Sequence, residues 1–275
     1  MKKFLLLPLA SLIMNLSYSQ PGWQLLFDGK DLTGWETYLG PRYSPEKGDF
    51  DGEPVGLNRD PREVFTVVQL DDGPAIRISG AEFGGISTLD SFSNYHLQLQ
   101  FKWGTEKHAP RTNEKRDSGL LYHANGPHGA DWFFWMSSQE FQIQEGDCGD
   151  YWGLGSDVTV KVKMQADSTF AYHPNGQSTA FGAHSKIRNA KKKPDGMEKP
   201  WGEWNTIDLY TFGSTSIHMV NGTVVMILED SRQPVDEKVL PLTRGKIQIQ
   251  SEGAEIYYRN IRIEPITELP KEWMD

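Results

Sequence analysis

The chain has 275 residues, 37% of them hydrophobic and 24% charged, with a formal net charge of −9. That much apolar material excludes a wholly disordered chain, and the acidic balance excludes a nucleic-acid binder, which needs a basic footprint. With a single cysteine, Cys148, no intramolecular disulfide is available, so stability must come from core packing.

The first element is a targeting segment. Lys2 and Lys3 precede an apolar run from Phe4 to Leu16, and Ser17-Tyr18-Ser19 ends it with small residues at the −3 and −1 positions. This is the pattern of a secretory signal peptide over residues 1–19, cleaved before Gln20. Pro8 and the shortness of the run argue against a spanning helix, which needs about 20 apolar residues. Export to the periplasm or the extracellular space is expected, with one domain over 20–275 and no membrane insertion. Loss of Lys2 and Lys3 would take the net charge from −9 to −11.

Short alternating segments follow. Strands are predicted at Trp23–Phe27, Phe65–Leu70, Ala75–Ser79, Gly84–Leu89, Tyr95–Trp103, Gly119–His123, Glu140–Gln144 and Val158–Val162. The C-terminal part adds Trp204–Phe212, Ser216–Val220, Thr223–Leu228, Lys246–Gln250 and Glu255–Glu264. Gly40–Asp60 and Phe181–Gly202 read as long loops, the second carrying Lys186, Arg188, Lys191, Lys192 and Lys193, a cluster read as solvated. Asn221-Gly222 between two β-rich runs is a type I′ hairpin signal, and with Thr223 it also spells a glycosylation sequon. Thirteen strands without a helical period predict an all-β fold, a jelly-roll sandwich of two antiparallel sheets.

Three strands carry glutamine on their polar face. Alternation sets Gln98 and Gln100 opposite Leu97, Leu99 and Phe101, Gln142 opposite Phe141 and Ile143, and Gln248 opposite Ile247 and Ile249. Amides donate and accept together, as sugar hydroxyls require. A sugar groove lined by Gln98, Gln100, Gln142, Gln248 and Trp152 is therefore expected. Asp117–Asp157 is the densest chemical segment. It holds Asp117, Gly119 and His123 on one strand face, the run Trp132-Phe133-Phe134-Trp135, then Glu140, Gln142 and Glu145, and Trp152 in a Gly-rich stretch. Nothing in the sequence requires a cofactor. No set has a known metal-ligand spacing, although His123, Asp117 and Glu140 would be the residues to meet a divalent cation.

Leu26-Phe27-Asp28-Gly29-Lys30-Asp31-Leu32-Thr33-Gly34-Trp35 resembles the opening of the 3-keto-disaccharide hydrolase family. Asp117-Ser118-Gly119 resembles its central strand, and Glu140-x-Gln142-Ile143-x-Glu145 its acidic strand. Gly202-Glu203-Trp204-Asn205 with Asn221-Gly222, then Gly245–Gln250 and Tyr258-Arg259-Asn260-Ile261, resemble its closing blocks. The match runs in order from about Trp23 to Glu264. The family pattern has Asn where Asp117 stands, Asp where Glu145 stands, and a basic residue where His123 stands.

The resemblance implies an exported concanavalin A-like sandwich that takes a small sugar or glycoside. It also implies cleavage of 3-keto-glycosides by elimination and water addition, which needs a base, an acid and a donor to the enolate oxygen. On that reading Glu140 is the central acid–base residue, His123 its partner with Glu145 competing for that role, and Gln142 the oxyanion donor. Asp117, Gln98, Gln100, Trp152 and Gln248 would hold the sugar. Two other readings remain. Glu140-x-Gln142-x-x-Glu145 has the spacing of a retaining laminarinase-type glycosidase with its middle Asp replaced, although residues five apart on a regular strand face opposite ways. A non-catalytic carbohydrate-binding module needs only the Gln face and Trp152.

Overall fold

The structure, a computed structural model, describes residues 22–192 and 196–273. The proposed signal segment and Lys193 lie outside the described residues. Twenty-two strands and one terminal 3₁₀ turn, Lys271–Trp273, are present among them. All thirteen predicted strands are found, several of them longer than expected. Tyr95–Lys107, Asp117–Asn125 and Thr223–Val235 extend past their predicted ends.

The strands form a concanavalin A-like jelly-roll sandwich of two antiparallel sheets. The larger runs in the order Phe170–Tyr172, Asp157–Met164, Thr223–Val235, Thr215–Val220, Asn205–Phe212, Tyr95–Lys107, Ala254–Pro265, Gly73–Ile78, Phe65–Leu70. Three short strands pair beside this path. The smaller runs Asn189–Ala190, Tyr151–Leu154, Ser137–Gln144, Asp117–Asn125, Lys246–Ser251, Gly84–Thr88, Trp35–Leu39, Gly56–Leu57. Thus Gly40–Asp60 is only partly loop. It contains a separate hairpin, Arg42–Ser44 with Asp49–Asp51, and the short strand Gly56–Leu57.

Period-two alternation builds the core between the sheets. Leu97, Leu99, Phe101, Ile256 and Tyr258 of the larger sheet meet Leu120, Tyr122, Phe141, Ile143, Ile247 and Ile249 of the smaller in one buried cluster. Polar groups inside it are paired across the sheets. Ser118 Oγ lies 2.8 Å from Tyr258 OH, and Tyr122 OH lies 3.1 Å from His218 Nε2. Cys148 is buried in the same cluster. Asn221 and Gly222 both have positive φ, 49° and 81°, and join Val220 to Thr223 as the expected two-residue turn.

This arrangement corrects one sequence expectation. Gln98 and Gln100 belong to the larger sheet and Gln248 to the smaller, so their outward faces point away from one another. The single groove drawn through all of them does not exist.

Candidate active site

The outer face of the smaller sheet carries a cavity of about 130 Å³, lined by Arg111, Asp117, Trp132, Trp135, Glu140, Gln142, Gln144, Trp152, Leu154, Arg188, Gln250 and Glu252. Register explains the assembly. Asp117 pairs with Gln144, Gly119 with Gln142, Leu121 with Glu140, and Glu140 in turn with Trp152. With Phe141 and Ile143 committed to the core, alternation turns Glu140, Gln142 and Gln144 outward. Gly119 makes the floor low. A Cβ there would come within 2.4 Å of Glu140 Oε1 and 2.3 Å of Gln250 Oε1, so the missing side chain is the space into which both groups fold.

Three carboxyl groups are buried here, and their protonation differs from that of surface acids. The Glu140 side chain has no hydrogen-bond partner among the described residues, and burial holds its carboxyl well above the usual range, reinforced by the charges of Asp117 and Asp131 and opposed by Arg188. Asp117 is raised to about 7, burial outweighing the Arg111 guanidinium and the Gln144 amide. Arg111 Nη2 and Gln144 Nε2 both donate to Asp117 Oδ2, while Oδ1 has no partner among the described residues. Glu252 is raised by burial and by Asp117, with Arg111 Nη1 at 3.3 Å from Oε1. One arginine between two buried carboxyls stabilises a single negative charge, so at neutral pH the cluster holds protons as well as charge.

Gln142 is oriented by its own strand. Its Oε1 accepts from Ile143 N at 3.0 Å, which leaves the Nε2 donor toward the cavity. At the other end, Arg188 Nη2 donates to both carboxylate oxygens of Asp131 at 2.8 Å, and its guanidinium lies 5.0 Å from the Trp132 ring centre.

Of the predicted site residues, Asp117, Glu140, Gln142 and Trp152 are brought together at the cavity. The others are not. His123 falls at a bulge, where pairing shifts on both neighbouring strands and φ is 54°. The break in alternation turns its ring onto Tyr95 and Tyr122 in the core, where burial drives its pKa down to about 3. It is not beside Glu140, and the trio His123, Asp117 and Glu140 is not assembled. Among the described residues no group of three or more His, Cys, Asp and Glu side chains has the geometry to hold a metal ion.

Glu145 lies past the strand end, in the turn that follows Gln144, and pairs with Arg116 at 2.8 Å. The register from Glu140 to Gln144 shows no bulge, so the pair Glu140 and Glu145 required of a retaining glycosidase is not formed. Gln98 Oε1 accepts from Arg262 and Gln98 Nε2 donates to Asp208, while Gln100 is held by Arg259, Asn260 and Thr206, all on the far face. Gln248 lies on the correct sheet, but its amide is spent. It accepts from Met136 N and donates to Ser87 Oγ, which anchors the loop that walls the cavity.

Residues missed from sequence had uneven signals. Gln250 and Glu252 continue the Gln248 face at period two and were within reach of that argument. Arg188 lay in a basic run read as solvated, and Arg111 lay in a loop with no pattern at all.

The fold gathers buried carboxyls at one cavity on a sheet face, a site equipped for acid–base chemistry. The profile of the 3-keto-alpha-glucoside-1,2-lyase-like domain matches residues 22–264, and the chain belongs to that family. Among solved structures, a Parabacteroides distasonis protein provisionally assigned as a glycosyl hydrolase is 18% identical, with a TM-score of 0.49, covering 90% of this chain and 94% of that one. A second from the same organism is 20% identical with a TM-score of 0.48, covering 89% and 99%. A carbohydrate-binding module of Bacillus subtilis is 10% identical with a TM-score of 0.41, covering 73% and 91%. No curated protein matches the chain.

Proposed function

We propose that this domain cleaves the glycosidic bond of 3-keto-glycosides by acid–base elimination followed by addition of water. The observation that carries the reading is Glu140. It is a buried carboxyl without a hydrogen-bond partner among the described residues, raised well above its ordinary pKa, in one cavity with an Asp117 raised to about 7 beside Arg111. A carboxyl kept neutral is a proton donor, and a carboxylate held against a guanidinium is a base. A strand rise of ~3.3 Å per residue sets Gly119, under the Glu140 carboxyl, about 7 Å from Asp117, a spacing that flanks one sugar ring.

A ketone at carbon 3 acidifies the hydrogen on carbon 2. Asp117 takes that proton, the released electron pair forms the carbon 1–carbon 2 double bond, and the bond from carbon 1 to the aglycone oxygen breaks. Glu140 protonates the departing oxygen. The enolate charge that develops on the carbon 3 oxygen falls to the Gln142 Nε2 donor. Addition reverses the roles. Glu140, now a carboxylate, takes a proton from the water that attacks carbon 1, and Asp117 returns its proton to carbon 2. This gives Asp117 the part expected of His123.

The test is to supply purified protein with a 3-keto-glucoside and the corresponding ordinary glucoside. Release from the keto form alone is expected, and Glu140→Gln should lower that turnover by about 10²–10⁴-fold with the fold intact. Release from the ordinary form would make it a glycosidase, and binding without release a carbohydrate-binding module. Export to the periplasm or the extracellular space belongs to the same proposal. It rests on the pattern of residues 1–19, and a native chain starting at Gln20 is the expected result of N-terminal sequencing.

A further inference from the structure

The cavity changes character along one strand. Beside Gln144 and Gln142 lie Asp117 and Gln250, all of them hydrogen-bonding groups. Glu140 then pairs with Trp152, and the next outward position, Ser138, pairs with Leu154. Beyond it the wall is Trp135 and Trp132. Trp135 Nε1 donates into the sheet, to Gly84 O at 2.9 Å, so what this indole offers the cavity is hydrocarbon. Glu140 therefore stands at the border between a polar half and a half walled by indole, Leu154 and the Arg188 guanidinium, whose Nη2 is spent on Asp131.

The aromatic wall is built at a conformational cost. Trp132 and Phe133 are consecutive non-glycine residues at φ 51° and 70°. Bulky residues are disfavoured in that region, because Cβ crowds the following carbonyl, and they persist there only where surroundings over-determine them. Here Asp131 closes the turn. Its carbonyl accepts from Phe134 N and Trp135 N, and its carboxylate is clamped by Arg188. The result holds Trp132 at the cavity, half exposed, although folding alone gives no reason to expose an indole.

We propose that this half is an aglycone subsite for a flat, apolar group, an aryl ring, with the keto-sugar seated on the glutamine half and the scissile oxygen at Glu140. The assignment rests on the elimination reading for the direction of the substrate, and on the wall itself for the chemistry of its occupant.

Turnover of phenyl and methyl 3-keto-α-glucosides should show a preference for the phenyl compound in KM that falls about tenfold in Trp132→Ala. Phe133, which is exposed and off the cavity, is the control, and Phe133→Ala should keep the preference. An unchanged preference in Trp132→Ala would overturn the subsite. Calorimetric affinities for ordinary phenyl and methyl α-glucosides separate this from the reaction. Tighter phenyl binding that is lost in Trp132→Ala supports the subsite even if no keto-glycoside is cleaved. Equal affinities for the two overturn it whatever the enzyme does.

Discussion

At Gly119, the place of the Glu140 carboxyl depends on an atom that is not there. Alanine at this position places Cβ against the ends of two side chains, Glu140 and Gln250, rather than against backbone. Flexible ends give way, so the sheet should survive while the Glu140 carboxyl is displaced. Gly119→Ala is expected to lower keto-glycoside turnover at least tenfold, since small misplacements of an acid–base group cost that much, and to leave the melting temperature within a few degrees of the parent. A variant with full activity would show that the carboxyl does not need this place. Glu145→Gln is the contrasting case. Its partner is Arg116 away from the cavity, so turnover should be unchanged within about twofold.

The turn at Asn221 shows how an element is stabilised beyond its backbone preference. Its Oδ1 accepts from Thr206 N, and its Nδ2 donates to Met197 O and to Asn205 Oδ1. Asn221→Ala removes three hydrogen bonds and places alanine at positive φ, which together should cost about 2–4 kcal/mol in urea unfolding. The KM should not move, because the turn belongs to the larger sheet. The same bonds occupy the nitrogen that a glycan would need, so the hairpin is the reading of this tripeptide that the contacts support. Behind the cavity wall, Phe50 of the small hairpin packs on Phe83 and Phe134 with ring centres 4.8 and 4.6 Å apart, in one cluster with Trp135 and Leu154. A segment read as loop thus supports the aromatic wall.

Across the whole molecule, two sets of buried groups tie stability to pH in opposite directions. His123 and His218 are both pushed down by burial to about 3. The unfolded chain takes up their protons near pH 6.5 and the folded one does not, so their contribution is present above about 6.5 and is lost as pH falls toward 3. Asp117 behaves conversely. Its folded pKa of about 7 lies above the usual value of 3.8, so its favourable contribution is complete below about 3.8 and is lost as pH rises toward 7. His123→Asn, at a φ that Asn tolerates, should therefore lose less stability than the parent between pH 6.5 and pH 4, read as the difference between their melting temperatures across that range. Asp117→Asn should gain stability relative to the parent at pH 8 and not at pH 4, a difference of a few kcal/mol, while losing activity. Parallel pH profiles for the parent and the Asp117→Asn variant would refute the assignment of the buried carboxyl.

Local rules were enough for much of this. Alternation in Tyr95–Lys107, Ser137–Gln144 and Lys246–Ser251 told which side chains face a core, and Asn-Gly told where a hairpin turns, because both depend on a few neighbouring residues. The same rule put Glu140 and Gln142 on one face, where they are. Which sheet each face belongs to is not local. Gln98 and Gln248 carry the same pattern, yet strand order alone sends them to opposite sides of the sandwich. His123 left its expected face through a bulge set by two partner strands, and Arg111 and Arg188 reach the cavity from loops whose path is decided by packing. The strands and their polar faces were thus determined by sequence. The company that Glu140 keeps, with Asp117, Glu252 and three indoles, was decided only by the tertiary structure, because pairing register and sheet membership are properties of contacts between segments far apart in the chain.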